Sequence, residues 1–454
     1  MINPKIFKEY DIRGQYPDEI DEDATNKIGQ AFASKTKAKK IIIARDLRPE
    51  SQKILKPLIA GLQSRGAKIY DLGVTSTPGL FFAVGAKQFP AGVMITASHN
   101  PKGYTGLKLC VDSGLLLGMN TGLKEIKLLA EKKDSIKDLK QNKKTATIPL
   151  TIENDYKKFV FSIINKKYLS GLKVALDASD GSGAKLATAV FAETKTKNTK
   201  INFRPNDGYK DHGLNPLLPE NQLTIKTVVK KTKAHLGVIF DGDADRCIFI
   251  DEAGQFVEPY YINCLLSRIM LEKFPKLKIT VDARLTLGIK EIISQNGGQP
   301  IVSRSGYANI ISTMQKKKLL FGCENSGHYM FNFALKKGGR HYAYGDAILP
   351  ALIILEFLGK SQIKLSEAIK PLLTKYPISG EINMPNKIFS EVEKKITALY
   401  KSEKISHLDG LSIQGSDFFI NIRPSKTEPL VRLNIEAKNK TKLEEVKNKI
   451  LKII

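Results

Sequence analysis

The stretch Ala91-Gly92-Val93-Met94-Ile95-Thr96-Ala97-Ser98-His99-Asn100-Pro101 joins a fully apolar run to a short polar loop. The apolar run predicts a buried strand, and Pro101 blocks regular backbone pairing beyond it. Apolar runs at 41–45 and 67–74 enclose a helical pattern at 51–66, and Thr77 starts a further helix. This alternation predicts a mostly parallel sheet covered by helices. The serine at the strand end is either a candidate nucleophile or an ordinary turn residue.

Length and composition indicate a globular protein of several domains. With 454 residues, 42% of them hydrophobic, the chain is too long for one core. No apolar run reaches the roughly 18 residues that span a bilayer, and the N-terminus has no signal-peptide pattern. The four cysteines (Cys110, Cys247, Cys264 and Cys323) form no C-x-x-C pair, which favours reduced core cysteines over disulfides or zinc. We therefore expect a cytoplasmic protein.

The net charge of +26 raises the question of a nucleic-acid partner. However, the lysines lie in short doublets and triplets such as Lys39-Lys40 and Lys316-Lys317-Lys318, spread over the whole chain. There is no tryptophan, and no basic segment alternates with aromatic residues as single-strand binding requires. This pattern favours a solvated basic surface that attracts anionic substrates. A non-enzymatic polyanion-binding protein remains the alternative from a different class.

A second loop carries three carboxylates at alternate positions. The strand-like run 236–240 leads into Asp241-Gly242-Asp243-Ala244-Asp245-Arg246, and another strand-like run follows at 247–250. Carboxylates packed this closely converge on one hard cation, because a metal ion neutralises their repulsion. A calcium-binding EF-hand loop does not fit, since Arg246 stands at its sixth position, where glycine is required. We predict a Mg²⁺ site shared with a phosphate oxygen.

Two further loops contain side chains suited to a phosphorylated sugar. Glu324-Asn325-Ser326-Gly327-His328 follows a short apolar run, and its Glu and Ser can hydrogen-bond vicinal hydroxyls or merely cap a turn. Arg423-Pro424-Ser425-Lys426-Thr427-Glu428-Pro429 lies between two predicted strands and supplies an arginine and hydroxyls, either as an anion cradle or as a surface turn. Near the N-terminus, Asp11-Ile12-Arg13-Gly14 adds another arginine suited to phosphate recognition.

Breaks in periodicity divide the chain into four domains. A polar, lysine-rich stretch at 131–147 ends the first, and strand–helix alternation resumes after it. Beyond about Pro371 the pattern changes to closely spaced strands with two helices, which predicts an antiparallel sheet with both helices on one face. We predict α/β domains at 1–147, 148–253 and 254–368, and an α+β domain at 369–454.

Taken together, in this order, the four loops resemble the signatures of the α-D-phosphohexomutase superfamily over essentially the whole chain. The opening Phe7-Lys8-Glu9-Tyr10-Asp11-Ile12-Arg13-Gly14 is similar to that of the bacterial phosphomannomutase/phosphoglucomutase branch. The phosphoglucosamine branch, which stays as an alternative, opens with a Gly-Thr-Asp-Gly type sequence. The resemblance implies three similar mixed-sheet α/β domains and a C-terminal α+β domain, arranged as a heart around a central cleft.

The same resemblance implies a reaction and a set of residues. Hexose 1-phosphate and hexose 6-phosphate would interconvert through a phosphoserine enzyme and a hexose 1,6-bisphosphate intermediate. Ser98 would carry the phosphoryl group, and one Mg²⁺ would be held by Ser98, Asp241, Asp243 and Asp245. The residues implied in catalysis are Ser98, His99, Lys108, Arg246 and His328. Those implied in substrate binding are Tyr10, Arg13, Arg284, Tyr307, Glu324, Ser326, Arg423, Ser425 and Thr427. The expected partners are small-molecule sugar phosphates rather than nucleic acid or membrane, and the expected state is a monomer, with a dimer as the alternative.

Two positions depart from the superfamily pattern. Tyr307 follows Gly306 where relatives commonly have a histidine, and a tyrosine is a poorer proton donor near pH 7. Arg284 replaces the usual lysine, which keeps the charge and changes its geometry. Both bear on substrate preference more than on reaction class. A metal-dependent phosphatase with a serine nucleophile, transferring to water, is the rival enzyme hypothesis.

Overall fold

The structure is a computed structural model that describes residues 2–111, 114–132, 146–204, 212–335, 339, 341–425 and 430–454. The chain forms two compact units. Unit 1 comprises Met1–Phe256 and Met330–Gln362, and unit 2 comprises Val257–Tyr329 and Ile363–Ile454. Within the described residues, the helices are all too short or too polar to cross a membrane.

Unit 1 begins with a six-stranded mixed sheet, in the order β1-β5-β4-β2-β3-β6. Strands β4, β2, β3 and β6 run parallel, as predicted, whereas β5 is antiparallel to β4 and β1 to β5. The reversal follows from chain length, since the short loop after β4 can join only antiparallel neighbours. The elements are β1 (Ile12–Gln15), α1 (Glu22–Thr36), β2 (Lys40–Arg45), α2 (Pro49–Gln63), β3 (Lys68–Val74), α3 (Thr77–Ala86), β4 (Ala91–Ile95), β5 (Tyr104–Val111), α4 (Lys124–Glu131) and β6 (Ile148–Pro149), with short helical turns at Pro4–Ile6 and Met119–Leu123.

Helices α1 and α2 lie unusually close together because each presents a glycine to the other. A Cβ added to Gly61 would lie 2.1 Å from the carbonyl oxygen of Asn26, and one added to Gly29 would lie 2.8 Å from that of Leu58. Both helices cover the same hydrophobic core as β2 and β4. Strand β4 is buried at every position, which confirms the prediction from its apolar run and fixes the Ser98 loop to the centre of the sheet.

The rest of unit 1 contains a second sheet and a segment from later in the chain. Strand β7 is parallel to β8 and β9, and β10 is antiparallel to β9. The buried Asp346 connects the later segment to the earlier one. Its carboxylate accepts hydrogen bonds from the hydroxyl of Tyr156 in the earlier segment and from that of Tyr344 in its own. The elements are α5 (Glu153–Ile163), β7 (Lys173–Asp177), α6 (Ala184–Phe191), β8 (Lys197–Ile201), α7 (Leu223–Thr232), β9 (Leu236–Phe240), β10 (Cys247–Ile250), β11 (Phe256–Val257), then β15 (Tyr329–Ala334), β16 (His341–Gly345) and α11 (Ile348–Ser361), with short helical turns at Lys166–Tyr168 and Pro219–Gln222.

Unit 2 combines a parallel three-strand arrangement with a C-terminal antiparallel sheet. Strand β12 pairs in parallel with β13 and β14. The five C-terminal strands follow the order β17-β21-β20-β19-β18, and every neighbouring pair is antiparallel. Helices α13 and α14 share one core with this sheet, which confirms the predicted α+β domain. The elements are α8 (Pro259–Lys273), β12 (Lys278–Asp282), α9 (Leu287–Gln295), β13 (Gln299–Ser303), α10 (Tyr307–Lys317), β14 (Phe321–Cys323), α12 (Leu365–Lys375), β17 (Ile382–Pro385), α13 (Phe389–Leu399), β18 (Lys404–Ser406), β19 (Leu411–Gln414), β20 (Phe418–Pro424), β21 (Leu430–Ala437) and α14 (Lys440–Leu451).

A buried carboxylate on the C-terminal sheet ties it to the first helices of unit 2. Glu436 on β21 accepts hydrogen bonds from the backbone N–H groups of Leu287 at 2.8 Å and Gly288 at 2.6 Å, at the start of α9. The hydroxyl of Tyr260 on α8 also donates to it. Burial raises the pKa of Glu436 to about 7, although these hydrogen bonds oppose the shift.

We expect the Glu436→Gln variant to change how stability depends on pH. Folded Glu436 keeps its proton up to about pH 7, whereas an unfolded glutamate loses it near pH 4.3. The folded state therefore binds more protons between these values, and the free energy of unfolding falls by up to about 4 kcal/mol as the pH rises through them. Glutamine has no such proton, so the variant should show a flatter profile of apparent melting temperature between pH 5 and 8. Parallel profiles for the two proteins would contradict the assignment.

Candidate active site

The Ser98 loop holds its serine in an unusual backbone conformation. Ser98 is buried, with 3% of its surface exposed, and its φ of 53° lies in the left-handed region that non-glycine residues seldom adopt. Its N–H donates to the hydroxyl of Thr96 at 2.9 Å. Its Oγ lies 3.1 Å from Nδ1 of His99. The loop thus fixes the direction of the Ser98 side chain, as a positioned nucleophile requires.

One buried arginine determines the shape of this loop. Arg48 is 1% exposed, and its guanidinium lies 3.3 Å from a carboxylate oxygen of Asp46. It donates to four backbone carbonyl oxygens of the loop and its continuation, those of Ser98 (2.9 Å), Asn100 (2.6 Å), Pro101 (2.8 Å) and Tyr104 (3.2 Å). Arg48 was not among the residues predicted from sequence. A signal existed, because β2 and β4 are parallel neighbours and the residues after parallel strands meet at one edge of the sheet.

Arg13 approaches the same loop from β1. Its Nη1 donates to the carbonyl oxygen of Ala97 at 3.2 Å and to Oδ1 of Asn100 at 2.7 Å. Its Nε donates to Asp11 at 2.7 Å. Burial alone would lower the pKa of Arg13, but Asp11 outweighs it and the pKa is raised. Tyr10, also predicted, is partly buried directly before Asp11.

The three aspartates of the second loop converge as predicted. Asp241, Asp243 and Asp245 are buried, and each offers a carboxylate oxygen within 4.8 Å of the others. The backbone turns tightly here because Oδ1 of Asp241 accepts hydrogen bonds from the N–H groups of Asp245 at 3.0 Å and Arg246 at 3.1 Å. A carboxylate cluster of this kind matches the ligand preference of Mg²⁺ and Ca²⁺.

Neighbouring segments of unit 1 hold the aspartate loop in place. The hydroxyl of Ser179 donates to the carbonyl oxygen of Phe240 at 2.6 Å, and the N–H of Ser182 donates to that of Gly242 at 3.0 Å. On the other side, Thr77 at the start of α3 donates its hydroxyl to Oδ2 of Asp243 at 2.5 Å. None of these three supports was identified from sequence, since each depends on which segments pack together.

Two cations accompany the three carboxylates. Nζ of Lys108 lies 2.6 Å from Oδ2 of both Asp243 and Asp245. Nε of Arg246 donates to Oδ2 of Asp241 at 3.1 Å. Burial would lower the pKa of Lys108, but the two carboxylates outweigh it and the pKa rises.

The three carboxylates repel one another, and a bound cation would relieve this repulsion. Burial, together with the charges of Asp245 and Asp243, raises the pKa of Asp241 despite the nearby cations. Oδ1 of Asp243 is buried and has no hydrogen-bond partner within the described part of the chain. An uncompensated buried carboxylate oxygen costs free energy unless a cation meets it. The residues present therefore fit a divalent cation.

His99 is positioned as a neutral imidazole. Nη2 of Arg246 donates a short hydrogen bond to its Nδ1, so this nitrogen acts as the acceptor. The charge of Arg246, followed by burial, lowers the pKa of His99 well below its usual range. His99 therefore places no positive charge beside Ser98. We refer to Arg13, Ser98, His99, Lys108, Asp241, Asp243, Asp245 and Arg246 as the Ser98 cluster.

Unit 2 contains a separate group of the predicted residues around Arg284. Nε of Arg284 donates to Oδ2 of Asp282 at 2.8 Å, and its Nη2 lies 3.5 Å from Oε1 of Glu324. Burial would raise the pKa of Asp282, but the Arg284 guanidinium outweighs it and the pKa falls. Asp282 thus anchors Arg284, which is buried with 8% of its surface exposed.

The loop that contains Glu324 forms a compact polar group. Nδ1 of His328 lies 3.0 Å from Oε2 of Glu324 and 2.8 Å from Oγ of Ser326. The ring of Tyr307 meets that of His328 edge-on at a centroid distance of 5.8 Å. Burial would raise the pKa of Glu324, but its hydrogen bond to His328 helps to lower it. The structure therefore brings Tyr307, Glu324, Ser326 and His328 together in unit 2.

The described residues of the last predicted loop, 423–425, lie at the end of β20. Nη2 of Arg423 lies 3.3 Å from Oε2 of Glu381, and the N–H of Ser425 donates to the carbonyl oxygen of Leu430 at 2.8 Å. Thr427 lies outside the described residues. Arg432 and Glu381, which sequence analysis did not single out, join this group through an ion pair of 3.0 Å.

Four segments of the chain match models of one protein family. Residues 4–137, 154–254 and 258–376 match the alpha/beta/alpha domains I, II and III of phosphoglucomutase/phosphomannomutase, in that order. Residues 381–453 match the phosphoglucomutase/phosphomannomutase C-terminal domain. The four matches confirm the family resemblance inferred from the loops, and they confirm the predicted fold class of three α/β domains and a C-terminal domain.

Individual proteins show the same similarity. The chain is 33% identical over 455 residues to a phosphomannomutase of Escherichia coli strain K12, covering 98% of this chain and 97% of that protein. A phosphoglucomutase/phosphomannomutase family protein from Burkholderia thailandensis has the same fold, with a TM-score of 0.87, 24% identity and coverage of 100% and 97% of the two chains. An Aspergillus fumigatus N-acetylphosphoglucosamine mutase, solved with GlcNAc-6P and magnesium, matches with a TM-score of 0.62, 14% identity and coverage of 99% and 96%.

Proposed function

This chain belongs to the phosphoglucomutase/phosphomannomutase family and is a phosphohexomutase, and we propose that its substrates are the 1- and 6-phosphates of mannose and glucose. The observation that carries the proposal is the Ser98 cluster. It combines a positioned serine hydroxyl, a neutral histidine and three carboxylates with three cations, Arg13, Lys108 and Arg246. Phosphoryl transfer depends mainly on such positioning and charge neutralisation.

The proposed reaction uses Ser98 as a phosphoryl carrier. Phosphorylated Ser98 gives its phosphoryl group to the free hydroxyl of a hexose monophosphate, which yields a hexose 1,6-bisphosphate. The intermediate then returns its other phosphoryl group to Ser98 and leaves as the isomeric monophosphate. Neutral His99, whose Nδ1 lies 3.1 Å from Oγ of Ser98, adds no charge beside the serine, while Lys108 and Arg246 offset the charge of the phosphoryl group.

We assign Asp241, Asp243 and Asp245, together with Ser98, to one Mg²⁺. The unpartnered Oδ1 of Asp243 and the raised pKa of Asp241 support this assignment. When bound, the ion supplies Lewis-acid polarisation of phosphoryl oxygens. The chain's own contribution is to keep the three carboxylates converged, through the hydrogen bonds from Thr77 and from the backbone of Arg246.

Unit 2 supplies the groups suited to a sugar and to a second phosphate. Glu324 and Ser326 are proposed to bind vicinal sugar hydroxyls, and His328, held by both, is proposed to assist proton transfer. Arg423, Ser425 and Thr427 are proposed to bind the phosphate that is not reacting, because arginine and hydroxyl groups match phosphate oxygens. Arg284 and Tyr307 in unit 2 are also proposed to bind substrate, and so, separately, are Tyr10 and Arg13 in unit 1.

Side-by-side kinetics test the substrate assignment. We expect mannose 1-phosphate and glucose 1-phosphate to give kcat/KM values within about tenfold of each other, since the two sugars differ in the orientation of one hydroxyl, worth about 1.4 kcal/mol or less here. Glucosamine 1-phosphate, whose amine replaces a hydroxyl, should be at least about tenfold poorer. A preference for glucosamine 1-phosphate would instead assign the chain to phosphoglucosamine mutation.

We also propose a cytoplasmic location and a monomer that acts on small sugar phosphates, with hexose 1,6-bisphosphate as its activator. The four cysteines are all free and buried, which fits a reducing compartment. Gel filtration at micromolar concentration tests the monomer, and elution at twice the mass of 50.4 kDa would replace it with the dimer.

A further inference from the structure

One carboxylate in unit 2 faces three arginines. Glu381 lies just before β17, and its two oxygens are shared among the guanidinium groups of the C-terminal sheet and of Arg284. Its Oε1 is 3.0 Å from Nη1 of Arg432, and its Oε2 is 3.3 Å from Nη2 of Arg423 and 3.9 Å from Nη1 of Arg284. The Glu381 side chain is only 28% exposed, so these interactions are partly shielded from water.

The arrangement of the strands forces two of these arginines together. Arg423 on β20 and Arg432 on β21 are directly opposite each other in the antiparallel register, so both side chains lie on the same face of the sheet. Like charges at such a pair of positions are destabilising. A nearby anion offsets this repulsion. Glu381 supplies it from the position just before the neighbouring strand β17, in which Asn383 is opposite Arg432.

Arg284 and Arg423 differ in how their N–H groups are used within the protein. Arg284 is anchored separately by Asp282, through its Nε at 2.8 Å. Arg423 has Glu381 as its ion-pair partner, and its Nε is buried without a hydrogen-bond partner in the described part of the chain. A guanidinium with unused N–H groups, beside a second arginine, is suited to bidentate recognition of a phosphate.

We propose that Glu381 stands in for the substrate phosphate. It neutralises Arg423 and Arg432 when no phosphate is bound and is displaced when one binds. This inference rests on the proposed function, because that function makes Arg423 a phosphate ligand. A phosphate dianion carries more charge and more acceptor oxygens than a carboxylate, so it can replace Glu381 at both arginines.

The stand-in would act as a specificity-determining residue. A tethered carboxylate competes at a high effective concentration, so it weakens every phosphate ligand of these arginines by the same factor. A sugar phosphate retains useful affinity because its hydroxyls make further contacts, whereas inorganic phosphate has only its contacts with the arginines. Glu381 would thus lower the affinity for simple anions to a level at which they seldom occupy the arginines.

The Glu381→Gln variant separates this role from a purely structural one. Glutamine keeps the size of the side chain and removes its charge. If Glu381 is a competitor, the variant binds inorganic phosphate about tenfold more tightly in calorimetric titration, and the KM for hexose 1-phosphate falls while kcat stays equal or declines. If Glu381 instead serves to hold the arginines in position, the variant binds phosphate no better or more weakly, which would overturn the proposal.

Three further variants complete the experiment. Glu391→Gln, an exposed position on α13, is the matched control and should leave phosphate affinity unchanged. Adding Arg423→Met to Glu381→Gln should remove the gain in affinity, and a gain that survives would assign the phosphate to another site and overturn the proposal. Glu381→Asp keeps the charge on a shorter side chain and should give an intermediate affinity, which keeps the test valid if glutamine impairs folding. Phosphate titration does not depend on mutase activity. A protein inactive on hexose phosphates would contradict the proposed function, and the phosphate affinities of the variants could still be measured.

Discussion

The Ser98→Ala variant is expected to lose the interconversion of hexose 1- and 6-phosphates by more than about 1,000-fold in kcat, since the route through a covalent carrier disappears with the hydroxyl. The loop should keep its shape, because Arg48 and Arg13 bind its backbone carbonyl groups and not the Ser98 side chain. Coupled assays with mannose and glucose 1-phosphates measure the loss. Activity near the wild-type level would refute the proposed mechanism.

A labelling experiment makes this prediction more specific. Incubation with hexose 1,6-bisphosphate carrying labelled phosphate should label the wild-type protein and leave Ser98→Ala unlabelled. Ser416→Ala, an exposed serine in the C-terminal domain, is the matched control and should be labelled like the wild type. If the wild type released inorganic phosphate from hexose 6-phosphate without forming the 1-phosphate, the serine-dependent phosphatase would be the correct hypothesis.

The Asp243→Asn variant is expected to lose metal affinity and at least about 100-fold in kcat, because a metal that stabilises transition-state charge contributes several kcal/mol. Oδ1 of Asp243 is buried and lacks a hydrogen-bond partner in the described structure. Its amide counterpart removes the charge that draws a cation to that atom. Titration calorimetry with Mg²⁺ or Mn²⁺ measures the affinity, and kinetics at saturating metal measure kcat.

The same variant should remain folded, which separates a metal effect from a structural one. Lys108 keeps an ion pair of 2.6 Å with Asp245 when Asp243 loses its charge, so no buried ammonium is left uncompensated. Asp23→Asn on α1, where the side chain is 64% exposed, is the matched control. Unchanged metal affinity together with unchanged kcat in Asp243→Asn would exclude the triad as the metal site.

Local patterns were sufficient where burial alone determines an element. The runs at Leu236–Phe240 and Cys247–Ile250 predicted β9 and β10 with their observed bounds, because charged residues limit each apolar run on one side or both. Helix α2 was predicted from 51 to 66 but spans Pro49–Gln63. Proline is favoured in the first turn of a helix, and the helix ends three residues before Gly66, its predicted end.

Relations between distant segments were beyond such patterns. The four loops could be recognised because their residue types match the chemistry. Their residues form two groups, one in each unit. Glu381 and Arg432 were missed because their importance arises from strand register, which places Arg432 opposite Arg423. Thr77 was missed for a similar reason, since the contact between α3 and Asp243 joins segments 166 positions apart.

The dependence of the Ser98 loop on Arg48 has a consequence for protein engineering. The hexapeptide at 96–101 owes its conformation to a side chain about fifty positions earlier, which donates hydrogen bonds to three of its carbonyl oxygens. A grafted copy of the hexapeptide on another α/β scaffold would therefore relax into an ordinary turn. A transplant that is meant to carry a phosphoryl group has to include β2 and the segment after it that contains Arg48.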